Sequence, residues 1–433
     1  MTESDAPVSA LSTERLFELA ETLLGVETQN PPGETRALAD RIQALFDDLG
    51  LDTRTVATDP AKPNVIATLP GETDRTLLYN GHLDTIPFNR SAWTYDPLGE
   101  RDGDRLYGRG ATDMKGPLAA MVHAVEVFVE TEAVPPVSLA FAIVSDEETD
   151  GSAGVSTLLG SEAFDAVDPD GCLIGETTCS GDQHSITVAD RGSIWLTLRA
   201  DGEAAHGSRP MLGTNAIDRL WDAIETVRSR LPARELEIPD DVRPIIDESI
   251  AYYEPTMGAT TARELFEHPS VNLGTIEGGD SVNTVPSTAS ARLDVRLTAG
   301  VETRTVLSEI RDCLTACPSV SIADVSWSVG TYEPLDSPLV EAVAETAAAV
   351  TGERIYRSTP STSTRRRRRS HATPRSTPGC RTSGRPTRSA ATPSLSVSRD
   401  SSRPGFGARQ QSTADSITPR LRSRRRTDAA LYR

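Results

Sequence analysis

The sequence predicts an α/β fold with a mostly parallel sheet, interrupted by a smaller inserted domain of βαββαβ order. Three observations predict it. Up to residue 183, short apolar runs alternate with stretches of helical period. After residue 184 the pattern changes to longer alternating strands and two helices, and from residue 358 periodic apolar residues almost vanish. Alternating strand and helix signals place parallel strands under crossover helices, whereas βαββαβ order closes into a small independent layer.

Taken in order, the spacing of Leu16, Leu19, Ala20 and Leu23 predicts a helix over 13–24, stopped by Gly25. Beyond the Pro31-Pro32-Gly33 break, Leu38, Ile42, Leu45 and Leu49 mark a second helix, ended by Gly50. Buried strands are expected over 64–69, 76–79, 137–144 and 172–174, with helices over 115–130 and 152–159 between them. The second pattern predicts strands over 186–200, 271–276, 287–297 and 321–327, and helices over 214–230 and 303–314. The chain is expected to rejoin the first domain near Tyr332 with a helix over 337–350. The resulting division is 1–183 (main domain), 184–331 (insertion), 332–357 (return segment) and 358–433 (basic, low-complexity tail). The tail cannot bury enough surface to offset its chain entropy and is expected to be disordered.

Composition narrows the function. Five cysteines, odd in number and never in a CxxC unit, indicate neither a disulfide framework nor a thiolate metal site, so a metal would have to use His and carboxylates. No apolar run reaches the roughly 20 residues of a membrane span. The acidic opening Met1-Thr2-Glu3-Ser4-Asp5 lacks a secretory pattern. A cytoplasmic location is therefore expected. The net charge of −19 divides into about +15 on residues 358–433 and about −34 on the rest, which contains the chain's two lysines, Lys62 and Lys115. So acidic a surface stays dispersed where salt screens self-repulsion, which suggests a halophilic setting; an activity optimum without added salt would contradict it.

The chemistry concentrates at strand ends. The expected strands lead into Gly81-His82-Leu83-Asp84, Ser145-Asp146-Glu147-Glu148 and Gly175-Glu176, while Asp113 opens the intervening helix. In open α/β sheets the functional crevice lies outside the carboxyl ends of the strands, so these segments should converge. One imidazole with several carboxylates is a zinc-type donor set. Singly, each residue has an ordinary reading. His82 could be a turn histidine, Glu147 and Glu148 part of a solvated acidic loop, Asp113 a helix cap and Glu176 a surface group; their joint order favours a metal site.

The segments HLDTIP, GRGATDMKGPLAA, DEETDGSAG, CLIGETT and SVNTVPSTASARLDVR, in that order, resemble the family of acetylornithine deacetylase, succinyl-diaminopimelate desuccinylase, aminoacylase and the glutamate carboxypeptidases. The resemblance spans about residues 10–357. It implies a zinc-peptidase-like catalytic domain carrying a ferredoxin-like lid or dimerisation domain, and two zinc ions per subunit for which cobalt can substitute. His82 and Glu176 would bind one zinc, Glu148 the other, and Asp113 would bridge them. Glu147 would be the general base and Asp84 the partner of His82. Extended residues two apart point the same way, which puts Asp84 behind His82.

In the insertion, His206 matches the family's lid histidine, which steadies the oxyanion across a homodimer, and Asn283 and Arg296 match substrate contacts. His206 could also be a loop histidine, Asn283 a turn residue and Arg296 a salt-bridge partner. The family's last ligand is a histidine near the chain end; none follows here in the expected context, and the role is not carried to His371. The second zinc site is then incomplete, which leaves open whether this form of the chain is active.

The expected activity is hydrolysis of the amide of an N-acyl amino acid, of the acetylornithine deacetylase or succinyl-diaminopimelate desuccinylase kind, because Glu176 is Glu where the aminoacylase branch has Asp. Two alternatives stand beside it: a di-zinc exopeptidase, and an inactive enzyme scaffold whose 18 tail arginines bind nucleic acid. Nucleic acid is not the expected partner. A reading-frame shift near Ser358 accounts for both the Arg, Ser, Pro, Thr and Ala composition and the loss of acidity at the same point.

Overall fold

The structure, a computed structural model, describes residues 10–149, 151–176 and 184–358, with the backbone alone of 368–369. The expectations for the tail fall outside the described residues, apart from Ser358 and that short stretch. The chain divides between residues 177 and 178 into two units, each described by itself.

In the first unit, α1 (Thr13–Leu24) begins at Ser12, whose Oγ accepts the Arg15 N–H, and ends at Gly25. The unit continues through α2 (Arg36–Asp48), β1 (Asp52–Val56), β2 (Asn64–Leu69), β3 (Thr76–His82), β4 (Glu100–Asp102) and β5 (Arg105–Tyr107). There follow α3 (Lys115–Glu130), β6 (Ser138–Val144), the single turns α4 (Val155–Leu158) and α5 (Glu162–Asp165), and β7 (Gly171–Ile174). The sheet order is β1-β2-β6-β3-β7. It is parallel across β6-β3-β7 and antiparallel at β1 and β2. The parallel strands are the apolar runs, and β3 and β6 are buried from their second residue onward. Each fully buried Leu, Ile, Val or Phe contributes about 1.5–3 kcal/mol relative to exposure. Such strands cannot slide without exposing that surface, which fixes where their carboxyl ends fall.

β1 escapes the sequence pattern because Asp52-Thr53-Arg54-Thr55-Val56 is a largely exposed edge strand with no apolar alternation. The helix expected over 152–159 shortens to α4. His123 packs as a structural residue: its Nε2 accepts the Ser12 N–H at 2.9 Å and its Nδ1 lies 3.0 Å from Glu126, joining α1 to α3.

The second unit contains β8 (Ile186–Ala189), β9 (Gly192–Asp201), α6 (Ala216–Arg230), α7 (Arg243–Met257), α8 (Ala259–Glu267), β10 (Ser270–Gly278) and β11 (Thr288–Leu297). After them come α9 (Thr303–Leu314), β12 (Val320–Ser328), α10 (Pro338–Thr351), β13 (Tyr356–Ser358) and β14 (Arg368–Arg369). The order β10-β11-β9-β12, antiparallel throughout, is that of a ferredoxin-like layer, with β14 on the outer edge of β12. On β9, Ile194, Leu196, Leu198 and Ala200 face a core shared with α6 and α9, while Trp195 and Arg199 point outward.

The single strand expected over 186–200 is two strands, because Asp190 leaves the ladder to accept the Thr331 N–H and hydroxyl at 2.7 and 2.8 Å. A second core joins β8, paired in parallel with β13, to α7, α8 and α10. Residues 332–358 pack within this core. The sequence pattern misses α7 and α8; in α7, Pro244 and Pro255 read as breaks, although Pro244 sits in the first turn, where its missing N–H costs nothing. Among the described residues no helix is long and apolar enough to cross a membrane.

Candidate metal centre

β3 lies between β6 and β7, and the loops leaving the three carboxyl ends carry the acidic and imidazole side chains. In register, His82 stands opposite Val144 and Asn80 opposite Ile174. His82 is thus the last residue of its strand, Glu148 follows β6 by four residues, and Glu176 follows β7 by two. Gly81 lets this edge pack tightly: a Cβ there would meet Met114 Cε at 2.6 Å and Leu118 Cδ2 at 2.7 Å. Met114 itself is core, fully buried, with its sulfur accepting the His82 N–H at 3.1 Å.

The His82 ring is nearly inaccessible and its orientation is defined at both nitrogens. Nδ1 donates to the Asp84 carbonyl at 2.8 Å and lies 3.6 Å from the Asp84 carboxylate. Nε2 therefore presents its lone pair to Asp113 Oδ1 at 2.9 Å and Glu176 Oε1 at 3.5 Å, with Glu147 Oε2 at 4.0 Å. A lone pair aimed at carboxylates requires a cation or a proton between them. Donor atoms of His82, Asp113 and Glu148 all lie within 4.8 Å of one another. Ligands of a zinc ion at about 2.0–2.2 Å stand roughly 3.3 Å apart, so the 2.9 and 3.5 Å separations fit a shared metal. The donor set fits the ion.

The electrostatics agree with the geometry. Burial works against the His82 charge, but Asp113, Asp84 and Glu176 outweigh it and hold the imidazole well above the usual histidine value. Glu147 is pushed up to about 7, first by burial and then by Glu176, Glu148 and Asp84 acting against His82. Glu148 is pushed up to about 7 by burial and by Asp113. Asp84 goes the other way: burial opposes its charge, yet His82, Asn30 and the Glu147 N–H hold it below the usual carboxylate range.

A pH dependence of stability follows. In the metal-free protein, folded Glu147 and Glu148 keep protons up to about 7 that the unfolded chain releases near 4.5. The folded state binds more protons in that window, so stability falls as pH rises through it. His82 adds the same sign: its contribution is full below 6.5 and is lost as pH climbs through its raised value. A metal ion bound at these residues would displace these protons. The rise in Tm on adding zinc to chelator-treated protein should therefore be larger at about pH 8 than at about pH 5.5, and an equal rise at both would contradict the assignment.

The remaining sequence candidates lie in the second unit. The Ser208 N–H donates to His206 Nδ1 at 3.1 Å, so the neutral ring of this exposed residue carries its proton on Nε2 as a free-facing donor. The Gly207 N–H donates to the Asn283 carbonyl at 2.6 Å, which brings those two loops together. They border a groove of about 520 Å³ that also includes Asn215, Ser281 and Thr284. Arg296 is engaged by Asp294, through Nε and Nη2 at 2.8 Å each. Three residues that the sequence reading passes over, Asn30, Lys62 and Asp146, surround Asp84 and the Glu147 loop; Pro31-Pro32-Gly33 reads as a simple break, and nothing in spacing singles out Asn30.

Residues 78–374 match the model described as peptidase family M20/M25/M40. The chain is 31% identical over 268 residues to an acetylornithine deacetylase of Vibrio campbellii, covering 60% of this chain and 61% of that one. It is also 31% identical over 293 residues to a succinyl-diaminopimelate desuccinylase of Rhodospirillum centenum, covering 65% of this chain and 68% of that one. The match thus spans about three-fifths to two-thirds of the length of these relatives. Among solved structures, the M20 family metallo-carboxypeptidase Sso-CP2 of Sulfolobus solfataricus superposes with a TM-score of 0.64 at 19% identity, over 80% of this chain and 86% of that one.

Proposed function

Because this chain belongs to peptidase family M20/M25/M40, we propose that it is a zinc-dependent hydrolase of the amide bond of N-acyl amino acids, of the acetylornithine deacetylase or succinyl-diaminopimelate desuccinylase type. The observation that carries the reading is the aim of His82 Nε2 at Asp113 and Glu176, with Glu147 and Glu148 alongside. His82, Asp113, Glu148 and Glu176 would hold the metal, which when bound polarises the amide carbonyl and acidifies water.

The chain's own groups do the rest. Asp84, behind His82, keeps the ring in the tautomer that leaves Nε2 free. Glu147, half-buried and raised to about 7, takes a proton from the attacking water and returns it to the departing amine. His206 offers a proton on Nε2 to the developing oxyanion, and Asn283 and Arg296 contact the carboxylate or carbonyl side of the substrate. Those three lie in the second unit, and the family pattern gives them these roles in a homodimer. The acidic composition supports a cytoplasm of high salt. Asp113 and Glu148 are the residues that would hold a second zinc.

The test is release of acetate from N-acetyl-L-ornithine and of succinate from N-succinyl-diaminopimelate by chelator-treated, zinc-restored full chain. Dipeptides serve as the comparison. Zinc-dependent cleavage of an acyl substrate at a kcat/KM above that for dipeptides is expected. Preference for dipeptides would move the protein to the exopeptidase reading.

A further inference from the structure

The turn that follows α1 reaches into the carboxylate cluster. Asn30 is buried, and its N–H donates to the Thr85 carbonyl at 2.8 Å. Its side-chain amide nitrogen has two hydrogens. It stands 2.8 Å from Asp84 Oδ2 and 3.0 Å from Asp146 Oδ1, with Thr149 Oγ1 at 3.3 Å. One neutral side chain thus ties together two carboxylates that are themselves buried.

Each carboxylate is anchored further. Asp84 accepts the Glu147 N–H on Oδ1 at 3.1 Å and the Glu148 N–H on Oδ2 at 3.0 Å. Asp146 accepts Lys62 Nζ at 2.5 Å, Thr149 Oγ1 at 3.2 Å and the Ala153 N–H at 3.3 Å. Lys62, whose side chain is 16% exposed, is the cation that balances the pair. Asp146 adopts a left-handed backbone with φ of 65°, a conformation that a non-glycine residue holds only where its surroundings fix it. Gly151 completes the cage: a Cβ there would fall 1.6 Å from Asp146 Oδ2. Glu147 is therefore fixed on both sides, by its own N–H on Asp84 and by the anchored side chain of the residue before it.

We propose that Asn30 and Lys62 are positioning residues for Glu147, joining Asp84 and Asp146 into one rigid support that holds the base carboxylate against His82. The part that concerns catalysis rests on the amidohydrolase reading; the part that concerns the loop does not. The chemistry dictates the residue types. Asn supplies two donors without charge, whereas an Asp at position 30 would set a third carboxylate against one lysine. A loop loosened by about 1 Å loses the near-attack geometry that supplies much of the rate.

The experiment compares the full-length chain with Asn30→Asp, Lys62→Met and Lys62→Arg. Two readouts are taken: kinetics on N-acetyl-L-ornithine with zinc, and amide hydrogen exchange resolved along the chain. Asn30→Asp and Lys62→Met should lower kcat by about 10–100-fold with KM changed by less than about threefold. Exchange should rise at residues 145–149 and stay unchanged in β3 and α3. Lys62→Arg should restore most of both. Unaltered exchange at 145–149, or a rise that extends equally through β3 and α3, would overturn the proposal, the second outcome marking a general folding role. If the parent chain hydrolyses neither acyl substrate, the amidohydrolase reading fails, and exchange at 145–149 alone decides the positioning role.

Discussion

Glu147→Gln is expected to lower kcat on the acyl substrate by about 10²–10⁴-fold, the usual contribution of a positioned general base, while zinc binding and KM change little. Gln keeps the size of the side chain and removes its ability to take a proton. The separation of roles rests on distance. Glu147 Oε2 is 4.0 Å from His82 Nε2, whereas Asp113 Oδ1 is 2.9 Å away, and the proposed donor cluster among the described residues is His82, Asp113 and Glu148. The same variant should alter the pH profile. With Glu147 pushed up to about 7 by burial and by its carboxylate neighbours, the rate of the parent protein should rise with pH as the base loses its proton. The metal's positive charge would draw that limb to lower pH. In Glu147→Gln the residual rate should lack this limb. Steady-state kinetics across pH with metal content measured in parallel checks both expectations, and loss of zinc from the variant would make Glu147 a ligand instead.

His82→Ala should have the other large effect, taking hydrolysis to background and zinc affinity down by more than the about 10–100-fold that loss of a partner behind a ligand costs. His82 supplies the nitrogen donor of the cluster, fixed from both sides by Asp84 and by the backbone of β3. Removing it leaves Asp113, Glu148 and Glu176 with less to gather them. Asp84→Ala provides the comparison. It keeps the donor atom and the backbone carbonyl that receives the Nδ1 proton, but removes the carboxylate beside the ring and releases the Glu147 and Glu148 amides, so its loss should fall within that about 10–100-fold range. Isothermal titration with zinc distinguishes the two, and equal affinities for His82→Ala and the parent chain would remove His82 from the site.

How far the sequence discloses this site depends on which physical signal each residue leaves. β3 and β6 are buried on both faces, so they stand out as apolar runs, and the strand ends that carry His82, Glu147 and Glu148 follow directly. The order of β9, α6, β10, β11, α9 and β12 is legible for the same reason, since one face of that sheet is a continuous core. Exposed β1 has no such pattern, and α7 hides behind two prolines, residues that usually end helices. Asp113 is found through its motif, although its side chain is 55% exposed and would pass as a helix cap by pattern alone. Asn30 and Lys62 leave no trace, because their partners Asp84 and Asp146 are distant in the chain and hydrogen bonding across such separations has no period.

The central claim is that His82, Asp113, Glu148 and Glu176 form a metal site built on the carboxyl ends of β3, β6 and β7. X-ray absorption at the zinc edge of the zinc-loaded full chain, beside His82→Ala, tests it most directly. The account predicts nitrogen and oxygen ligands at about 2.0–2.2 Å, with imidazole scattering that disappears in His82→Ala and no sulfur shell near about 2.3 Å. A sulfur shell, or imidazole scattering that persists without His82, would contradict it.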